Sequence, residues 1–206
     1  PDQPAAAGAA SGLEAIGSVR DLYDGALLPD LQVSTLRHVD HLFPTRVVAR
    51  GANVHALPVS SRPWPAIGFD DGGHRWDLFD YLALNRVSGL LVLQNGEVAF
   101  EHYALGNTPQ TRWTSMSMAK SITATLVGAA IHDGHIGGLD EQVCRYVPTL
   151  AGSAYEGVTI RQVLQMSSGV RWNETYTDPH SDRRRLLEAQ LSQRPGALMD
   201  CMAALP

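Results

Sequence analysis

The feature that most constrains the fold is a long apolar segment that follows the short polar stretch Thr114–Ser121. Residues 117–133 fit one helix that is apolar on nearly every side, and Gly134 directly after it is a typical helix terminator. A helix of this kind packs in a protein interior, so the sequence predicts that it is buried. Its apolar residues are Ile122, Ala124, Leu126, Val127, Ala129, Ala130 and Ile131.

The head of this helix carries Ser117 and, three residues further on, Lys120. Residues three apart share a helix face, so the ammonium can reach the hydroxyl. A serine nucleophile needs a neighbour that takes its proton, and a partly desolvated lysine can do this. The unpaired N–H of Ser117 at the helix start could stabilise an oxyanion. The pattern predicts a nucleophile beside its base, although Ser-x-x-Lys also occurs by chance.

The composition is that of a globular protein, and it excludes some functional classes. The 206 residues are 44% hydrophobic and 18% charged, which is enough for a core in one or two domains. A net charge of −5 and a pI near 5.9 argue against a nucleic-acid partner. The one dense basic run, Arg183–Arg185, is typical of a solvated helix face. No apolar stretch reaches membrane-spanning length.

The sequence does not indicate a cofactor or a metal site. Cys144 and Cys201 lie in separate predicted helices, either as small apolar residues or as a single disulfide. His132 and His135 flank Asp133, but a closed metal site usually needs four ligands, and cations near a helix C-terminus are favourable in any case. We therefore expect neither a metal nor a cofactor.

The first 70 residues are predicted to form an N-terminal leader that wraps the surface. Residues 1–15 are rich in Ala, Gly and Ser and should be poorly ordered. The run Ala5–Ala10 could follow a removed export signal, so we expect a periplasmic or secreted protein, with a cytoplasmic one as the alternative. Short helices or turns are predicted between Val19 and Pro44, and residues 45–70, with three prolines, should be extended.

The middle of the chain carries the clearest local signals. Helical spacing predicts a helix over residues 76–84. Asn95-Gly96 lies between two β-forming runs, residues 90–94 and 97–103, and predicts a hairpin because both turn residues tolerate positive φ.

The last third of the chain is predicted to be helical. Asp140 should cap a short helix that ends near Tyr146. Thr159 should cap a second helix that Gly169 terminates. Residues 182–191 and 195–205 fit two further helices.

Four separated pieces of the sequence, in this order, resemble the serine β-lactamase and penicillin-binding-protein-like hydrolases. The branch that they resemble contains esterases and 6-aminohexanoate-oligomer hydrolases. The resemblance covers roughly residues 87 to 206. Its four pieces are the Asn95-Gly96 hairpin, Ser117–Lys120, the segment from Thr159 to Val170, and Tyr176–Pro179.

The resemblance implies a role for three residues. Ser117 would be the acylated nucleophile and Lys120 its proton acceptor. Tyr176 lies where similar oligomer hydrolases use a loop tyrosine to hold the amine end of the substrate; the alternative is a half-buried tyrosine whose hydroxyl meets backbone. The implied substrate is a small-molecule ester or amide, with a β-lactam or a D-amino-acid peptide as alternatives, and no cofactor is required.

The fold that the resemblance implies is α+β and β-lactamase/transpeptidase-like. It has an antiparallel sheet flanked by helices, with an inserted helical domain. Residues 71–139 would be the first part of the α/β domain, and residues 140–206 the first, truncated part of the helical domain. Two motifs of such hydrolases, Tyr-x-Asn/Ser and Lys/His-Thr/Ser-Gly, do not occur after Lys120. We therefore expect the N-terminal half only, whose partner is the missing C-terminal half.

Two functions follow from these features. The first is a serine hydrolase that cleaves an ester or amide through an acyl-Ser117 intermediate. The alternative is a non-catalytic or slowly turning-over penicillin-binding-type sensor or binding module. Without the second half, one flank of the helix that begins at Ser117 should be open to water.

Overall fold

A computed structural model describes residues 14–206 of the chain. Most of the segment predicted to be poorly ordered, residues 1–15, and the run Ala5–Ala10 lie outside the described residues. The chain divides into two compact units, Pro1–Thr114 and Ser115–Pro206. The domain boundaries predicted after residues 70 and 139 stay predictions.

In its described residues, the first unit contains three helices and two antiparallel hairpins, and it confirms short helices between Val19 and Pro44. Its elements are α1 (Val19–Tyr23), α2 (Pro29–Arg37), a 3-10 turn (Val39–His41), β1 (Gly68–Asp71), β2 (His74–Asp77), α3 (Leu78–Leu84), β3 (Gly89–Gln94) and β4 (Glu97–Tyr103).

The predicted hairpin is strands β3 and β4. Asn95 and Gly96 take φ angles of 53° and 80°, so the turn has the left-handed conformation that this pair favours. A bulge follows Val92, where the register changes. The extended leader pairs with β4 at one point, since the Val98 N–H donates to the Pro58 carbonyl at 2.8 Å.

A second hairpin, β1–β2, was not predicted. Its turn, Gly72-Gly73, has φ angles of 57° and 80°, which residues with a Cβ seldom adopt. The helix predicted over residues 76–84 consequently begins later, at Leu78. Asp77 caps it by accepting from the Asp80 N–H at 2.8 Å, while the Asp80 carboxylate accepts from the Asp77 N–H at 3.0 Å.

The second unit is helical in its described residues and has a small core. The helices predicted over residues 182–191 and 195–205 are confirmed, the latter as a shorter helix. Its elements are α4 (Met118–His132), 3-10 turns at Val143–Arg145 and Pro148–Leu150, α5 (Ile160–Leu164), α6 (Asp182–Leu191) and α7 (Ala197–Ala203). Its buried apolar residues are Leu150, Val158, Ile160, Leu187, Ala197 and Leu205.

The two units together have the α+β composition that was predicted. Cys144 and Cys201 are both free thiols, so the disulfide alternative is wrong. Across the described part of the chain, no helix has the length and apolar character needed to cross a bilayer.

Helix α4 confirms its predicted end and contradicts its predicted burial. Gly134 takes φ 78°, and the His135 N–H donates to the Ala130 carbonyl at 2.9 Å, as in a Schellman motif. None of the helix residues is buried; Met118, Ile122 and Leu126 are 66%, 59% and 63% exposed. Residues four apart share one helix face, so these three form an exposed apolar stripe. The helix thus has an exposed apolar flank, as expected for a chain without the second half, although the sequence did not indicate which residues form it.

Helix α5 begins as predicted and ends earlier. The Thr159 hydroxyl accepts from the Gln162 N–H, and the Gln162 side chain accepts from the Thr159 N–H, which is a capping box. The predicted terminator, Gly169, is wrong. Met166 takes the left-handed position at φ 56°, and the Ser167 N–H donates to the Gln162 carbonyl at 2.8 Å.

Met166 gives a direct test of this helix end. A side chain at positive φ costs about 1–2 kcal/mol, and the Met166 side chain is 78% exposed, so it has little packing to lose. Met166→Gly should raise the free energy of unfolding by about 1 kcal/mol, measured by urea denaturation. Met166→Ala keeps the strain and serves as the control. Equal stability of the two variants would contradict this account.

Candidate active site

Ser117 lies at the residue before the first turn of α4. Its side chain makes no capping hydrogen bond to the helix, so the hydroxyl is left for another partner. That partner is Lys120, whose Nζ donates to the Ser117 Oγ at 2.9 Å. The structure thus brings the two predicted catalytic residues together on one helix face, as their spacing requires.

The backbone before Ser117 is strained. Met116 takes φ 45°, in the left-handed region that side chains rarely adopt. The N–H of Met118 donates to Ser115 O at 3.0 Å, and the N–H of Ala119 donates to Met116 O at 3.2 Å. This tight turn does not use the N–H of Ser117, which lies next to the hydroxyl. Strain of about 1–3 kcal/mol at one residue clusters at active sites, although the left-handed Met166 shows that a helix end can carry it too.

The pair is exposed to solvent in the described residues. Ser117, Lys120 and the apolar stripe Met118, Ile122 and Leu126 are all exposed. The expectation that Lys120 is partly desolvated is therefore wrong for this part of the chain, because its own unit does not cover the helix. A lysine becomes a proton acceptor when its surroundings disfavour the charged form. The described residues therefore hold Ser117 and Lys120 at hydrogen-bonding distance, but they do not exclude water from the two side chains.

Lys120 carries a signal that the sequence analysis missed. It is the single lysine among the 16 Lys and Arg residues of the chain. Arginine cannot give up its proton in a protein, so it cannot serve as a base. The single lysine of the chain therefore lies where the proposed reaction needs a base, which is a group that can release and take up a proton.

Tyr176 lies in the loop before α6, as predicted, and is 54% exposed. The guanidinium carbon of Arg183 lies 5.4 Å from the centre of its ring, which is cation–π geometry. The structure thus brings Ser117 and Lys120 together and gives Tyr176 a different contact. Its role toward a substrate stays a prediction.

Asp140 supports the start of α5 instead of capping a helix. The predicted cap is wrong, because the next turn is the 3-10 turn Val143–Arg145, which Gln142 precedes. Arg161 donates from Nε to Asp140 Oδ1 at 2.8 Å and from Nη2 to Oδ2 at 3.2 Å. Hydrogen bonding by Arg161, followed by its charge, lowers the pKa of Asp140. Asp140 and Arg161 are exposed to solvent, so their ion pair adds little to the stability of the fold and mainly fixes the orientation of the two side chains.

Comparison with known proteins places these features in context. A family model described as Beta-lactamase matches residues 84–199. The 6-aminohexanoate-dimer hydrolase of Paenarthrobacter ureafaciens is 42% identical over 106 residues, which are 52% of this chain and 27% of that protein. The matched part of the chain therefore spans only about a quarter of the length of this relative.

Proposed function

Because the chain belongs to the Beta-lactamase family, we propose that it is part of a serine hydrolase that cleaves an ester or amide through an acyl-Ser117 intermediate. The observation that carries this proposal is the 2.9 Å hydrogen bond from Lys120 Nζ to Ser117 Oγ at the head of α4. The family match over residues 84–199 includes both Ser117 and Lys120, which supports the same assignment.

The proposed reaction has two halves. Neutral Lys120 takes the Ser117 proton as Oγ attacks the carbonyl carbon, and the N–H of Ser117 donates to the resulting oxyanion. The tetrahedral intermediate then expels the alcohol or amine, which receives the proton from Lys120. A water molecule attacks the acyl ester, releases the acid and restores the Ser117 hydroxyl.

The proposed substrate is a small ester or linear amide. The named relative is a 6-aminohexanoate-dimer hydrolase, and its name is what favours an amide among the candidate substrates. We propose that Tyr176 contacts the amine end of such a substrate. The side chain of Tyr176 is 54% exposed and lies in the loop before α6, which supports this proposal.

The catalytic unit is proposed to need further chain, the C-terminal half of the same protein. Two observations support this: the match to about a quarter of the relative's length, and the uncovered stripe on α4. A sheet over this stripe would bury Met118, Ile122 and Leu126 and dry the surroundings of Lys120. It would also supply the second tyrosine motif and a second oxyanion donor, with residues 140–206 as the start of an inserted helical domain.

The sensor or binding module remains the second candidate. The solvent exposure of Lys120 in the described residues is the observation that favours it, because a module of this kind needs the pocket but no efficient base. Such a protein would acylate and keep the label, whereas a hydrolase releases its acyl group. A periplasmic or secreted location stays part of the proposal.

The acylation site can be tested with a fluorophosphonate. We expect one adduct per chain of the longer protein, located by peptide mass spectrometry on the peptide that contains Ser117. Ser117→Ala should abolish it, since the attacking oxygen is removed. Lys120→Arg keeps the charge and loses the base, so the labelling rate should fall by roughly 100- to 10,000-fold.

Neighbouring serines provide the matched controls for this experiment. Ser115→Ala and Ser121→Ala flank the site on either side and should label at the wild-type rate. An adduct on Ser115 or Ser121, or an unchanged rate in Lys120→Arg, would show that the nucleophile or its base has been assigned wrongly.

The proposed cover over α4 predicts that one substitution has different effects in two forms of the protein. In the longer protein, Leu126→Ala should cost about 2–5 kcal/mol of unfolding free energy, as for a buried leucine. In residues 1–206 alone it should cost far less, because Leu126 is 63% exposed there.

The short form should also fail to hydrolyse p-nitrophenyl butyrate. Turnover by a monomeric short form, lost on Ser117→Ala, would contradict the need for a cover.

A further inference from the structure

Three potential metal ligands lie together just after α2, in the first unit. They are His38, Asp40 and His41, and their ligand atoms all lie within 4.8 Å of one another. The rings of His38 and His41 stack, with centroids 5.0 Å apart and an interplanar angle of 16°. Because imidazole lone pairs lie in the ring plane, the exposed His41 ring has to turn out of this stack for one ion to meet both rings. Ser117 and Lys120 belong to the other unit.

A carboxylate fixes the orientation of His38. Its Nε2 lies 3.0 Å from Glu14 Oε2, and Glu14 Oε1 lies 3.3 Å from Arg37 Nη2. Because a carboxylate accepts, this contact assigns the imidazole proton to Nε2 and leaves the Nδ1 lone pair for an ion. A carboxylate on the outer nitrogen is the usual arrangement of a metal-bound histidine. The Arg37 side chain has a fixed position as well, because its Nη2 donates to the Leu105 carbonyl at 2.8 Å.

The segment that carries Glu14 is itself anchored to α2. The Ser34 hydroxyl donates to the Ala15 carbonyl at 2.5 Å, and the Gly17 N–H donates to the Thr35 hydroxyl at 2.8 Å. Ser34 and Thr35 are 3% and 0% exposed, so both anchors belong to the interior of the unit. Glu14 thus reaches His38 from a fixed position across 24 residues of sequence.

The local charges favour a cation. His38 is the C-cap of α2, a nine-residue helix whose unpaired carbonyls carry partial negative charge. Asp40 adds a full negative charge. The Arg37 charge is offset by Glu14, so the cluster offers two imidazoles and one carboxylate to a cation.

We propose that His38, Asp40 and His41 bind one divalent transition-metal ion, and that zinc is the ion that fits this donor set. Imidazole and carboxylate together suit zinc, whereas calcium and magnesium prefer oxygen ligands alone. Asp40 and His41 are exposed, so their side chains can close on an ion at about 2.0–2.2 Å. Water fills the fourth position. The ion would lock the Glu14 segment and the end of α2 together.

The test is a zinc titration of the full protein, without a polyhistidine tag, against a chromophoric chelator. We expect one zinc per chain, with the same affinity in Ser117→Ala, which separates this site from the proposed hydrolase. His41→Ala and Asp40→Asn should each weaken binding by at least 10-fold, because a direct ligand is removed. Glu14→Gln should weaken it by roughly 10- to 100-fold, the usual effect of an outer carboxylate.

His132→Ala is the matched control. His132 Nδ1 lies 3.1 Å from Asp133 Oδ1, so it also pairs with a carboxylate, but it lies outside the proposed cluster. Its substitution should leave zinc affinity unchanged. Thermal unfolding checks the fold: metal-free His41→Ala should melt like the wild type and lose the stabilisation that zinc gives. Wild-type affinity in His41→Ala, or loss of binding in His132→Ala, would overturn the proposal.

Discussion

The hydrogen bond between Lys120 and Ser117 depends on where helix α4 begins. Because Ser117 stands at the N-cap without bonding the helix N–H groups, its hydroxyl is free to accept from Lys120 at 2.9 Å. The left-handed Met116 turns the chain into the helix and leaves the Ser117 N–H beside the reacting oxygen. If the helix began one residue later, Ser117 would lie outside the N-cap position, and the three-residue spacing would no longer hold its hydroxyl on the helix face of Lys120.

The same helix links stability to the proposed chemistry. Its exposed stripe, Met118, Ile122 and Leu126, begins at the turn that carries the proposed catalytic pair. Burying each such side chain contributes about 1.5–3 kcal/mol. A cover over this face would therefore stabilise the fold and remove water from Lys120 in one step. This double effect agrees with a helix that is apolar on nearly every side.

Local chemistry was predictable from the sequence, and tertiary context was not. The Asn95-Gly96 turn and the Thr159 cap depend on a few adjacent residues, so their types alone predicted them. The same local logic applied to Gly72-Gly73 would have found the first hairpin. The left-handed Met166 was unpredictable, because the helix end imposes a conformation that its side chain disfavours. Apolar periodicity predicted that α4 needs cover, but it cannot tell whether the cover lies within the same 206 residues. His38, Asp40 and His41 are close in sequence and could have been noticed, whereas the Glu14 contact that orients His38 comes from a distant segment and could not.

The central claim is that Ser117 becomes covalently acylated by a substrate during turnover. The most direct measurement mixes the longer protein with p-nitrophenyl butyrate, quenches in acid within the first turnover, and determines the intact mass and the modified peptide. The account predicts a burst of p-nitrophenol that matches the amount of enzyme, with one butyryl group on the peptide containing Ser117. Turnover in which no butyryl group is found on that peptide, whether water attacks the ester directly or another residue is acylated, would contradict it.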